Sequence, residues 1–155
     1  INNFALMKVN KQTRRILYII TTLSWVTGVV YFILDQFVLV EGDFGPEKSP
    51  FQYPIIKIHG LTAFLLMINF GYFLSHHIKY TWRKKPRDKM GIFLVSLDLS
   101  LIISGYLLYY IVTGDSRMLT AYLHTFIGVV YPVVLTIHIR KIVRERKKQK
   151  LQRAI

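Results

Sequence analysis

The chain has 155 residues, about one domain, with 52% hydrophobic residues and 21 Lys and Arg against 8 Asp and Glu. That basic excess in a soluble protein would point to nucleic acid, because clustered cations release counterions from phosphates, but here the cations avoid four long apolar runs and no nucleic-acid partner is needed. Cysteine is absent, which excludes disulfides, thiolate-held metals, iron–sulfur clusters and covalently attached haem within the chain, so redox work would rest on histidine and a non-covalent cofactor.

The first apolar run, about residues 15–40, follows Lys8, Lys11, Arg14 and Arg15. No small-residue cleavage site comes after it, so it reads as a membrane span and not as a removable signal. The chain opens on Ile1, which leaves trimming or processing open. Residues 41–54, EGDFGPEKSPFQYP, have the glycines and prolines of an irregular connection. Pro54 suits the first turn of a second helix, over 55–78, which carries His59, Asn69, His76 and His77. Residues 79–89 hold six cations (Lys79, Arg83, Lys84, Lys85, Arg87 and Lys89) together with Pro86.

A third run, 90–113, contains Asp98, and Gly114-Asp115-Ser116 reads as a short turn that forces its flanking helices antiparallel. The fourth run, 118–139, contains His124, Pro132 and His138; the proline is expected to loosen or kink it locally. Eight cations follow in a basic tail over 140–155. Each run is near or above the ~20 residues that cross a bilayer as a helix. The expectation is a single all-α domain over 1–155, an integral membrane four-helix bundle running up-down-up-down. Eighteen of the 21 cations fall on one side, which by the positive-inside rule puts both termini and the 79–89 loop in the cytoplasm. The tail then reads as a lipid-facing extension.

All five histidines lie on the second and fourth runs, which run parallel in such a bundle. At ~100° and ~1.5 Å per residue, the fourteen positions from His124 to His138 return to within about 40° of one face, ~21 Å apart along the axis. His59 and His77, eighteen positions apart, also share a face. His59 and His124 therefore fall at one membrane level, and His138 with His77 or His76 at another. Two imidazoles facing each other at one level are what bis-histidine ligation of a haem iron requires. Two such pairs would hold two b-type haems, one possible if a pair fails. A lone histidine in a membrane helix more often only bonds a neighbouring helix; the sorting of all five into two levels favours ligation.

With these residues, the chain resembles the four-helix dihaem cytochrome b subunits of bacterial respiratory oxidoreductases, such as the membrane subunits of formate dehydrogenase and thiosulfate reductase, and the core bundle of cytochrome b in quinol–cytochrome c reductase. The likeness covers residues 13–142 and rests chiefly on the His124 to His138 spacing. It departs in two respects: His59 to His77 spans ~27 Å against ~21 Å on the fourth run, about one turn more, and the first run has no histidine, which the formate dehydrogenase type uses. The resemblance implies electron transfer across a bacterial inner membrane between the quinone pool and an outer-side redox subunit, such as a c-type cytochrome or an iron–sulfur protein.

Secondary candidates accompany the histidines. Gly28, Gly71, Gly105 and Gly128 permit close approach to a porphyrin, or equally ordinary helix packing. Arg14, Arg15, Lys79 and Arg140 on the inner side and Lys57 on the outer are candidate partners for haem propionates, or headgroup anchors. Asp98 is an ionisable group inside a span, where a functional role is the default; it is expected either to accept the second ring proton of His76 or His77 or to relay protons to a quinone near His76 and Lys79. Asn69, Tyr80 and Trp82 fit packing and the aromatic belt. Two other readings stay open: a membrane protein that moves metal ions or protons through its histidines, and a passive anchor for a larger complex.

Overall fold

A computed structural model describes residues 10–79 and 88–152. Lys8, the stretch from Tyr80 to Arg87 with its Trp82, Pro86 and cations, and Arg153 lie outside the described residues. Four helices make up most of the rest. Each is long and apolar enough to cross a membrane, which marks a multi-pass membrane protein.

Helix α1 (Lys11–Phe37) starts where Asn10 accepts a hydrogen bond from the Gln12 amide, 3.3 Å, satisfying one of the donors a helix start leaves open. It ends at Phe37, short of the expected residue 40, because the chain turns into an antiparallel hairpin of β1 (Leu39–Gly42) and β2 (Gly45–Lys48). The stretch expected to be irregular is thus partly ordered. Gly45 closes the reversal at φ +120°, a conformation that side-chain-bearing residues avoid. Asp35 locks the hairpin to the helices: its side chain receives Lys48 at 3.2 Å, Gln52 at 3.3 Å and Gln36 at 2.8 Å.

Helix α2 (Gln52–Phe73) has Pro54 in its first turn, as expected, and runs into a π-helical turn, Leu74–Ile78, that carries both His76 and His77. Helix α3 (Lys89–Tyr110) is capped by Asp88, whose carboxylate accepts the Met90 amide at 3.4 Å. The turn to α4 lies at residues 111–113, three residues earlier than expected, since Gly114 at φ +55° already opens the last helix. Arg117 closes the junction by donating to the Leu108 carbonyl, one of the acceptors left open at the end of α3. Helix α4 (Gly114–Gln152) then runs unbroken through Pro132 and on through the basic segment, so the tail is not a separate extension but the last turns of the helix that bears His124 and His138.

The closest helix approaches are α1 with α2, α3 with α4, and α1 with α4. The two histidine-bearing helices, α2 and α4, are not among them, and neither are α2 and α3. The inward stripe of α1 explains its close fit: Leu17, Thr21, Ser24 and Gly28 recur at helical spacing, and the first three are buried. The apolar core is small. Leu17, Leu94, Tyr131 and Leu135 form it, with Leu66 and Phe73 of α2 packed against it, while large side chains such as Ile19, Leu61, Ile103 and Phe126 cover the outside. Such outward apolar faces suit lipid, and the driving force for assembly is then packing and interhelical hydrogen bonds. Asn69 also faces outward, its amide donating to the Leu65 carbonyl of its own helix at 3.0 Å.

Candidate functional site

The bundle brings the histidines together at two levels. At the hairpin side, the rings of His59 on α2 and His124 on α4 stand 6.3 Å apart, centre to centre, with their planes at 87°. These helices are not among the closest helix approaches, and the two rings meet between them.

Each ring is held by the neighbouring helix. His59 places Nδ1 3.1 Å from the Ser24 carbonyl oxygen and 3.2 Å from Thr27 Oγ1. A carbonyl only accepts, and the Thr27 hydroxyl spends its proton on the Leu23 carbonyl at 2.8 Å, so Nδ1 of His59 carries the proton. His124 Nδ1 meets Ser104 Oγ at 2.8 Å, and Ser104 in turn donates to the Ser100 carbonyl at 2.6 Å. That serine has one proton, already committed, and therefore accepts from His124. Both rings are fixed as the tautomer that leaves Nε2 with a free lone pair.

Glycines make room for the rings. A side-chain carbon at Gly28 would come within 2.9 Å of His59 Cε1, closer than such contacts tolerate, whereas one at Gly105 would sit 3.6 Å from His124 Cε1. Of the other glycines singled out in the sequence, Gly71 faces open space and Gly128 faces Leu101. Gly91 is the glycine the pattern missed: it lies 3.6 Å from His138 Cε1 on the same measure.

At the basic side, the structure separates the two adjacent histidines of α2. His76 is exposed, stacked on Tyr72 at 4.5 Å, with Nδ1 engaged by Ser75 Oγ and the Tyr72 carbonyl of its own turn. His77 is turned inward, half-buried and edge-on to Phe73 at 6.3 Å, within electrostatic range of His138 and Arg146. The π turn adds one residue to a helical turn, so it shortens the ~27 Å span computed for a regular helix by about one residue's rise, ~1.5 Å. His138 places Nδ1 3.3 Å from Asp88 Oδ2, at ion-pair distance but off the line of a good hydrogen bond.

Asp88 also receives Lys141 Nζ at 2.8 Å on its other oxygen. Burial by itself would raise the Asp88 carboxyl, but the Lys141 bond and charge, with His138 and the Met90 amide, hold it below its ordinary 3.8. It is therefore an anion at neutral pH.

The carboxylate beside a histidine is thus Asp88, not Asp98. Asp98 instead hydrogen-bonds Tyr131 of α4. Tyr131 stands seven residues from both His124 and His138, and the pair lies between the two levels. No hydrogen bond or ion pair among the described residues joins Asp98 to His76 or Lys79, so the residues expected to serve a quinone are not gathered.

The candidate propionate partners scatter too. Arg140 and Arg15 are exposed and Arg14 is half-buried; Arg140 shares an outward groove with Lys141, Arg144 and Lys148. Lys57 stands over the Tyr53 ring at 4.0 Å, two residues and so about 200° from His59. The arginine that reaches an inner histidine is Arg146.

Among the described residues, no group of three or more His, Asp or Glu side chains converges to hold a bare metal ion. What the bundle offers is nitrogen donors in twos. Comparison of the chain with protein-family models, with curated proteins and with solved structures returns no match.

Proposed function

We propose that this chain is a haem b-binding membrane subunit that carries electrons, in which His59 and His124 would hold one haem and His77 and His138 the other. The observation that carries this reading is the hairpin-side pair: two rings that meet edge-on between α2 and α4, each with Nδ1–H consumed by an acceptor and Nε2 left as the donor. Metal-bound histidines characteristically donate their other ring proton to a carbonyl, hydroxyl or carboxylate. The rings stand 6.3 Å apart, centre to centre, and a haem held between them would take one nitrogen from each.

Two nitrogen donors with no third ligand suit a metal that brings its own equatorial donors, as iron in porphyrin does. When bound, haem supplies a reversible one-electron couple. The chain's own work would be to space these histidines and to orient them through Ser24, Thr27, Ser104 and Asp88. With two histidines committed to each haem, the subunit would pass electrons and would not itself activate a small substrate. In this reading the basic side faces the cytoplasm, and electrons pass between the quinone pool and an outer-side redox subunit. Those last assignments rest on the charge distribution and on the resemblance to dihaem cytochromes b.

The test is a reduced-minus-oxidised visible spectrum of the purified protein with a pyridine haem assay. Sharp α and β bands and a haem b content near two per chain support the proposal. A colourless protein that takes up Zn²⁺ or Cu²⁺ sinks it, and supports the metal-handling alternative.

A further inference from the structure

The two histidine levels differ in the charge of what holds the rings. On the hairpin side every acceptor is neutral: the Ser24 carbonyl, Thr27 Oγ1 and Ser104 Oγ. On the basic side His138 faces a carboxylate, Asp88 Oδ2, at 3.3 Å, and only 12% of the His138 side chain is exposed. Lys141 binds the other oxygen, Oδ1, at 2.8 Å. Asp88 is placed by its second task, capping α3 through the Met90 amide, and Gly91, one turn on, leaves the space into which the His138 ring fits.

We propose that Asp88 is a positioning residue for His138: its carboxylate, at ion-pair distance from the ring, selectively lowers the reduction potential of the haem that His138 would hold. This rests on the haem reading above. The physics is that a standing negative charge 3.3 Å from the ring stabilises the more positive, ferric state of an iron that the ring would hold. Among the described residues, no such anion faces His59 or His124. Among the described residues, the other charged groups near His138 are Lys141 and Glu145 on its own helix, while His77 of α2 lies within electrostatic range with Arg146 beside it. Lys141 competes with His138 for the Asp88 charge, so removing it should strengthen the effect.

The experiment is a spectroelectrochemical titration of the full-length protein in detergent, comparing wild type with Asp88→Asn and Lys141→Gln. Asparagine retains the helix cap and an acceptor oxygen while removing the charge, so the fold is kept. The expected result is two haems in every sample, one midpoint raised by Asp88→Asn and that same midpoint lowered by Lys141→Gln, the other midpoint unmoved in both. The low-spin ferric EPR signal of one haem should shift in parallel, a change that a purely structural cap would not produce. Unmoved midpoints with haem content intact, or equal shifts of both, overturn the proposal. Should Asp88→Asn lose a haem, Lys141→Gln decides alone: a downward shift of one midpoint supports the proposal, and no shift overturns it. Wild-type protein without haem overturns the underlying haem reading as well, so the two failures are distinct.

Discussion

The hairpin-side and basic-side histidine pairs use the same two helices but are built on different principles. His59 and His124 are held by backbone and hydroxyl acceptors on the helices that pack tightest against theirs, α1 and α3, and a junction of Asp35, Lys48 and Gln52 fixes the adjacent connection. His77 and His138 sit where α2 loosens into a π turn and where the partner of His138 is a charged side chain at a helix start. A site made from helix backbone is rigid and electrically neutral; one made from a carboxylate and a helix end is adjustable and charged. In the proposed haem reading, two centres of unequal potential would need that kind of inequality, and what stands behind each ring supplies it, since the four rings are all imidazoles.

Removing the rings themselves should have the largest effect. His124→Ala and His138→Ala should each lower haem b content from ~2 to ~1 per chain in the pyridine assay. His77→Ala should behave as His138→Ala does, whereas His76→Ala should leave both haems, because that ring is exposed and satisfied within its own turn. Loss of a haem in His76→Ala with retention in His77→Ala would reverse the geometry described for the basic side.

The next effect tests the room made for the rings. Gly28→Ala places a carbon 2.9 Å from His59 Cε1, which forces the ring off its acceptors and should deplete the hairpin-side haem. Gly105→Ala, at 3.6 Å from His124, is an ordinary contact and should retain it. Equal haem content in the two variants would show that His59 does not occupy this position in the loaded protein. Smaller again is the loss of an acceptor. Ser104→Ala should weaken haem retention by about 10- to 100-fold, measured by transfer of haem to an apo-globin acceptor, while Thr27→Ala should cost less because the Ser24 carbonyl still holds His59.

Much of this architecture is legible in the sequence because hydrophobic length and helical period are local properties. Four apolar runs, and the return of His124, His138, His59 and His77 to shared faces, follow from ~3.6 residues per turn. The parts that escaped depend on contacts between segments. The hairpin over 39–48 rests on Asp35 reaching Lys48 thirteen residues on. Neighbouring His76 and His77 differ by only about 100° in direction, too little to choose between them without the π turn. Asp88 lies at the end of a basic loop, where a lone acid reads as charge balance; its one local sign is the cap position before α3. Asp98 is conspicuous in a span, but its partner Tyr131 lies thirty-three residues on in an unremarkable aliphatic stretch.

That Asp98–Tyr131 bond gives a contrast of its own, since it joins α3 to α4 between the two levels and touches no histidine. Tyr131→Phe should leave haem content unchanged and cost about 0.6 to 1.7 kcal/mol of bundle stability, the range for interhelical hydrogen bonds in membranes. Fractional unfolding in mixed SDS micelles would measure it. A haem lost from this variant would mean that the pair supports a ligand after all.

The smallest effect belongs to the outermost bond. Lys141 and Asp88 are 47% and 37% exposed, so solvent screens their attraction and Lys141→Ala should cost under about 1 kcal/mol. Its pH dependence has a definite sign. The Asp88 carboxyl is held below its ordinary value in the folded chain, so the bond's contribution is complete above the unfolded carboxylate value near 3.9. It fades only as pH falls through the lower folded value. The stability difference between wild type and Lys141→Ala should therefore be flat from about pH 5 to pH 8 and shrink on further acidification. A difference that instead collapsed near pH 6 would assign the coupling to a titrating histidine, and would leave Asp88 without the standing charge that distinguishes the basic-side pair from the hairpin-side one.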